Sequence, residues 1–261
     1  MSDEIEIRRV GEVQIVRINR PDKKNALTRA MYDAMTGALK AGESEAAIAV
    51  NVIMGTSGVF CAGNDIQDFA KRNTDLGRPG GASSLIQTLP TLEKPVVAAV
   101  DGLAIGVGVT MLFHCDLVYA SPRASFRTPF LDLGLVMEAG SSYLAPSIMG
   151  HQRAFELLCL GEPYDAEAAF RAGFVNRVVP AVDLESQAMA AAQRLAAKPR
   201  AALLAAKRLM KTGVKDQALA QMGREAVLFA ELLRSSEARE AFAAFLEKRK
   251  PDFAKARASE G

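Results

Sequence analysis

In the run Leu135-Val136-Met137-Glu138-Ala139 one carboxylate stands among apolar side chains. An apolar surround disfavours the charged form of a carboxyl group, raises its pKa and so suits it to taking and returning a proton near neutrality. Two further segments suggest what such a group would act on. They are Gly58-Val59-Phe60-Cys61-Ala62-Gly63-Asn64-Asp65 and Asp101-Gly102-Leu103-Ala104-Ile105-Gly106-Val107-Gly108-Val109-Thr110. Each reads as a strand, a small-residue turn and the start of a helix, an order that aims backbone N–H groups at a negative oxygen. Two such turns and one carboxylate point to chemistry through an enolate. Either turn taken alone also reads as ordinary glycine punctuation of a loop.

The elements that must hold these residues follow from periodicity. IEIRRV and VQIVRI alternate on either side of Gly11-Glu12, which predicts a hairpin from Ile5 to Ile18. Thr28 is placed to cap a helix running to about Ala41. Buried strands are expected over Ala47–Met54 and Pro95–Val100, and short ones over Leu117–Ala120 and Ala124–Arg127. Strands separated by helical segments indicate an α/β fold with crossovers. From about Leu184 the pattern is helical. The polar, glycine-rich segment from Lys71 to Gly81 reads as a loop.

Composition narrows the class. The chain has 261 residues, 49% of them hydrophobic and 24% charged, which fits a globular protein. A net charge of +2 provides no strong field for nucleic acid or a membrane surface. No apolar run approaches the roughly 18 residues that a bilayer span requires. Cys61, Cys115 and Cys159 form no CxxC pair, so neither a disulfide framework nor a zinc site is expected. The polar N-terminus resembles no targeting peptide and Ala-Ser-Glu-Gly is no peroxisomal address, so a cytoplasmic location is expected.

Together the three segments resemble the enoyl-CoA hydratase/isomerase (crotonase) superfamily, with similarity from about Ile5 to about Phe253. The resemblance implies an α/β fold of the ClpP/crotonase kind: a spiral of ββα units over residues 1–199, then a helical trimerisation region over 200–261. It implies a homotrimer or a dimer of trimers. By the same resemblance the oxyanion donors are the N–H groups of Ala62 and Val107, the latter between Gly106 and Gly108. The family usually has glycine at the second place, but a backbone donor survives valine.

Hydratases of the family resemble a two-glutamate solution, and the matching positions here hold Thr110 and Phe130. Neither titrates usefully as a base near neutral pH. Glu138 lies at the position that resembles the catalytic acid of the Δ3,Δ2-enoyl-CoA isomerase branch. A solvated loop glutamate or a charge near the helix start after Ser141 is its plainer role. Asp132 is a second candidate carboxylate, and Phe130 and Leu135 read as pocket wall. The resemblance implies an acyl-CoA substrate and no separate cofactor. Lys23, Lys24 and Ala26 would line its adenine and phosphate end, and Ala62, Gly63, Asp65 and Ile66 would curve around adenine and pantetheine. Phe245 and Lys248 would reach the nucleotide of a neighbouring subunit, although cations at a helix end also suit the dipole. The leading expectation is transfer of a double bond from the 3,4 to the 2,3 position of an enoyl-CoA. Rivals are an enoyl-CoA hydratase, an oxepin-type CoA isomerase of aromatic degradation and a non-catalytic acyl-CoA binding protein. An RNA-binding role has no aromatic-basic stripe to support it.

Overall fold

A computed structural model describes residues 3–66, 68 and 80–258. The loop expected over Lys71–Gly81 lies, apart from Gly80 and Gly81, outside the described residues. Ten strands are described: β1 (Ile5–Val10), β2 (Val13–Ile18), β3 (Val50–Met54), β4 (Val59–Cys61), β5 (Val96–Val100), β6 (Leu103–Ile105), β7 (Leu117–Ala120), β8 (Ser125–Arg127), β9 (Tyr164–Asp165) and β10 (Arg177–Val178). They form a sheet in the order β1-β2-β3-β5-β7-β10 and a smaller one in the order β4-β6-β8-β9. Each consecutive pair β3–β4, β5–β6 and β7–β8 thus places one strand in each sheet before the next crossover. That repetition is the spiral of ββα units. It also lines up the ends of β4 and β6, which pair in parallel through Val59 with Leu103 and Cys61 with Ala104.

The expected hairpin forms with Ile5 opposite Ile18 and Val10 opposite Val13. β3 and β5 are buried along their whole length, which is why they read as unbroken apolar runs rather than alternating ones. Their two faces feed two cores: Ile53 and Ala98 pack with the helix Arg29–Ser44, while Val52 and Val97 face the helix Leu184–Ala196. That second helix presents Leu184, Ala188, Ala191 and Ala192 to the sheet, a helical apolar stripe. Thr28 caps the first helix by accepting a hydrogen bond from the Met31 N–H, though the helix continues to Ser44. The strand expected from Ala47 begins only at Val50, because the turn Glu45–Ile48 comes first, closed by the Ile48 N–H bonding back to the Glu45 carbonyl.

The C-terminal part contains the helices Arg200–Lys211, Val214–Leu232, Ser236–Leu246 and Phe253–Ala258. They pack back on the rest of the chain, in part through a buried lysine and a satellite core. Lys207, 5% exposed, reaches Asp116 at 2.7 Å and the Lys94 carbonyl at 2.8 Å. Leu233 and Ala238 meet Leu135 in a small satellite core joined by Phe229 and Phe242. Asp116 also accepts the Val96 N–H at 2.8 Å. Among the described residues no helix is long and apolar enough to cross a membrane.

Candidate active site

The turns that follow β4 and β6 lie against each other. Gly63 has φ +85°, and a Cβ there would sit 3.0 Å from the Ile105 carbonyl oxygen. A Cβ on Gly108 in its present place would need to point elsewhere, since the position is 2.7 Å from the Cys61 carbonyl oxygen. The chain therefore uses glycine where the two backbones touch. Asn25 fastens the first turn by donating from Nδ2 to the Val59 and Phe60 carbonyls at 2.9 and 3.2 Å.

The hydrogen bonds of the first turn change one expected role. The Ala62 N–H is already committed to the Lys24 carbonyl at 3.0 Å, so it is not a free oxyanion donor. The Leu27 N–H bonds to the Gly63 carbonyl and the Asp65 N–H to the Leu27 carbonyl, at 2.8 and 3.0 Å. In that parallel bridge between Leu27 and Asn64 the intervening Asn64 N–H points the other way. It has no partner among the described residues, and the Asn64 side chain is held aside by Tyr32 Oη at 2.6 Å. The register of the small-residue motif, without a bridge to show which N–H points outward, gave no signal for this two-residue shift. The second turn keeps its expected donor. Gly106 is the N-cap of the short helix Val107–Thr110, and the Val107 N–H, at its first position, has no partner among the described residues.

Asn64, Val107 and Glu138 line one cavity of about 410 Å³. Ala62, Gly63, Ile66, Gly106, Phe130, Leu135 and Phe245 line it too. Phe229, Ala241 and Phe242 complete its apolar wall from the C-terminal helices, and the sequence reading did not foresee Phe229 or Phe242. Phe245 was expected to serve a neighbouring subunit. It lines the cavity of its own chain, because the helix Ser236–Leu246 folds back over Leu135.

Glu138 reaches the cavity from a loop. The Thr110 hydroxyl donates to its Oε1, while its Oε2 is sealed from solvent and has no hydrogen-bond partner among the described residues. Burial pushes the carboxyl up to about 7; the Thr110 hydrogen bond opposes this and the charge of Glu225 adds to it. The apolar surround inferred from the sequence therefore has its expected consequence. Thr110 itself does not line the cavity. It is fully buried, and this residue at the place of a hydratase glutamate, a candidate substrate-binding position, instead supports Glu138. Asp132 does line the cavity, but it is paired with Arg127 at 3.0 Å.

The remaining expected binding residues lie outside the cavity. Lys23, Lys24 and Lys248 are exposed, and Ala26 offers its carbonyl to Arg20 at 3.0 Å. Asp65 stabilises the turn rather than lining the cavity: it is paired with Arg20 at 2.7 Å and accepts the Asp68 N–H at 3.0 Å. Arg249, which does line the cavity, was not foreseen and is paired with Glu240 and Glu247.

A family model described as enoyl-CoA hydratase/isomerase matches residues 8–256, and the chain belongs to that family. It is 35% identical over 241 residues to a probable enoyl-CoA hydratase of Rhodobacter capsulatus, covering 92% of this chain and 93% of that protein. It is 32% identical over 212 residues to rat enoyl-CoA delta isomerase 2, covering 79% of this chain and 54% of that one. A crystal structure of an enoyl-CoA hydratase/isomerase from Pseudoalteromonas atlantica superposes with a TM-score of 0.90 at 38% identity, covering 96% of this chain and 99% of that one. The fold is the crotonase fold, and the activity is of the enoyl-CoA hydratase/isomerase kind.

Proposed function

We propose that the protein is a CoA-thioester isomerase that converts 3-enoyl-CoA to 2-trans-enoyl-CoA with Glu138 as the single acid–base group. The observation that carries this reading is the Glu138 Oε2, which shares a cavity with two backbone N–H groups, all three without a partner among the described residues. The carboxylate removes the proton from C2, and the electron pair moves onto the thioester oxygen. The N–H groups of Asn64 and Val107 hold that oxygen. Glu138 then returns the proton to C4, the enolate collapses, and the double bond stands between C2 and C3. A pKa near 7 lets one group serve as base and then acid. Adding water would call for a second titrating group, and the only other carboxylate among the described cavity residues, Asp132, is tied to Arg127.

Lys23, Lys24 and Lys248 are the exposed cations assigned to the coenzyme A phosphates, where a lysine acts as a point charge. The assembly assigned to the chain is a homotrimer or a dimer of trimers. Val227 at 68% and Leu209 at 77% exposure leave apolar surface on the C-terminal helices for subunit contact. Sedimentation equilibrium showing a monomer would overturn that assignment.

The test of the reaction is a paired assay on purified protein, trans-3-hexenoyl-CoA isomerisation beside crotonyl-CoA hydration. Isomerisation is expected to be the faster by orders of magnitude. Fast hydration by the wild type would replace this reading with that of a hydratase.

A further inference from the structure

The loop that carries Glu138 has an unusual backbone. Ala139 has φ +61° and Gly140 φ +70°, two successive left-handed residues of which the first is not glycine. Such a conformation persists only where its surroundings impose it. Here the single peptide group between the two residues is held at both ends. His114, 4% exposed, donates from Nε2 to the Ala139 carbonyl at 2.7 Å. Glu225, 5% exposed, accepts the Gly140 N–H at Oε2 at 2.6 Å. The other Glu225 oxygen takes the Ser142 N–H at 3.0 Å and the Ser142 hydroxyl at 2.5 Å, and Gln221 donates to that hydroxyl at 3.0 Å.

Gly140 is the N-cap of the helix Ser141–Met149 and has no side chain with which to cap it. Glu225 supplies the missing acceptor from the helix Val214–Leu232, 85 residues further along the chain. A cap alone does not explain a carboxylate in this place, because a serine or asparagine would do it without a buried charge.

We propose that Glu225 and His114 are positioning residues for Glu138: by clamping the Ala139–Gly140 peptide from opposite ends they fix where the Glu138 carboxylate points. The inference rests on Glu138 being the acid–base group. It links the C-terminal helices to the chemistry through a specific contact rather than through general packing. Burial raises the Glu225 carboxyl while its hydrogen bonds from Ser142 and Gly140 oppose this, and in its ionised form it places a negative charge behind Glu138 that favours the protonated form of the catalytic group. Among the described residues, other charged groups stand near this loop. Lys211 donates to the His114 carbonyl at 3.0 Å and lies 3.9 Å from Asp116, which Lys207 also pairs. Arg127 and Asp132 line the same cavity as a pair. Burial holds the His114 imidazole down at about 4, so it is a neutral donor through the working range.

The test uses steady-state isomerisation across pH with Glu138→Gln as the reference. Loss of activity in Glu138→Gln establishes the base independently of the clamp, and activity retained there would defeat the base assignment itself. Glu225→Gln keeps the size of the side chain and removes its charge. It is expected to lower kcat at least tenfold with KM within about twofold, and to move the acid limb of the profile to lower pH. Glu225→Asp, which keeps the charge, is expected to leave the acid limb in place and recover part of kcat. His114→Gln can still donate to the Ala139 carbonyl and is expected to stay within a few-fold of wild type, whereas His114→Leu is expected to lose kcat. The His114 pair decides the matter if the Glu225 variants do not fold. A Glu225→Gln protein with wild-type kcat and an unmoved acid limb, whatever its melting temperature, would overturn the proposal, as would equal activity of the two His114 variants.

Discussion

The two halves of the site are built by different means. The turns after β4 and β6 offer N–H groups whose direction is set by backbone pairing: the Leu27–Asn64 bridge on one side and the start of the helix Val107–Thr110 on the other. Glu138 faces them from a loop held by side chains, with Thr110 on the carboxylate and His114 and Glu225 on the adjoining peptide. The first half should therefore tolerate a change of side chain wherever the backbone path survives. The second should be sensitive at every supporting residue.

The largest effect tests the acid–base half directly. Glu138→Gln should lower kcat about 10³-fold with a small change in KM, within the range that a lost acid–base group usually costs. Kinetics with trans-3-hexenoyl-CoA measure it. A tenfold loss or less would move the chemistry to another residue.

The backbone half should break only where a side chain moves the chain path. Gly108→Val places its Cβ 2.7 Å from the Cys61 carbonyl oxygen, so the turns must part. Displacing one oxyanion donor should cost roughly 10²-fold in kcat. An unchanged kcat would show that the spacing of the turns is irrelevant to the chemistry.

Stability against pH sharpens the contrast, because only the loop half stores a buried acid. The folded-state value of Glu138, about 7, lies above its ordinary value of 4.5, so the native state holds the proton more tightly than the unfolded chain does. Its contribution to stability is full below about pH 4.5 and is lost as pH rises through about 7. Glu138→Gln should therefore gain stability over wild type above pH 7, on the order of 3 kcal/mol. Urea unfolding at pH 5.0 and pH 8.5 reads the difference. A gain that is the same at both values would remove the buried-acid account.

Thr110→Val should lower kcat about tenfold, the usual order for a hydrogen bond to a charged group. It should also move the acid limb to higher pH, because the lost hydrogen bond had favoured the carboxylate. Val107→Ala should change kcat by less than about threefold, since the donor is a backbone group that either residue provides. A loss as large as that of Thr110→Val would mean that the valine side chain itself takes part.

The sequence made much of this legible, and the part it did not reveal has a common cause. Local patterns disclosed the hairpin, the Thr28 cap, the small-residue turns and the apolar setting of Glu138, because each is written in neighbouring residues. The choice of Asn64 over Ala62 depends on which way one N–H faces in a bridge to Leu27, a contact between distant segments. The return of Phe242 and Phe245 onto their own cavity depends on how the C-terminal helices fold back, and the helical pattern alone is silent on that. Glu225 is least legible of all. In sequence it is one more acid on an amphipathic helix, and only tertiary packing brings it to Gly140.

The most direct measurement is the fate of deuterium placed at C2 of trans-3-hexenoyl-CoA, followed by NMR for wild type and Glu138→Gln at matched CoA-thioester occupancy. Deuterium should leave C2 and appear at C4 with the wild type, and the rate should fall at least 10²-fold in the variant while binding persists. Transfer at an undiminished rate in Glu138→Gln would contradict the assignment of Glu138 as the group that moves the proton.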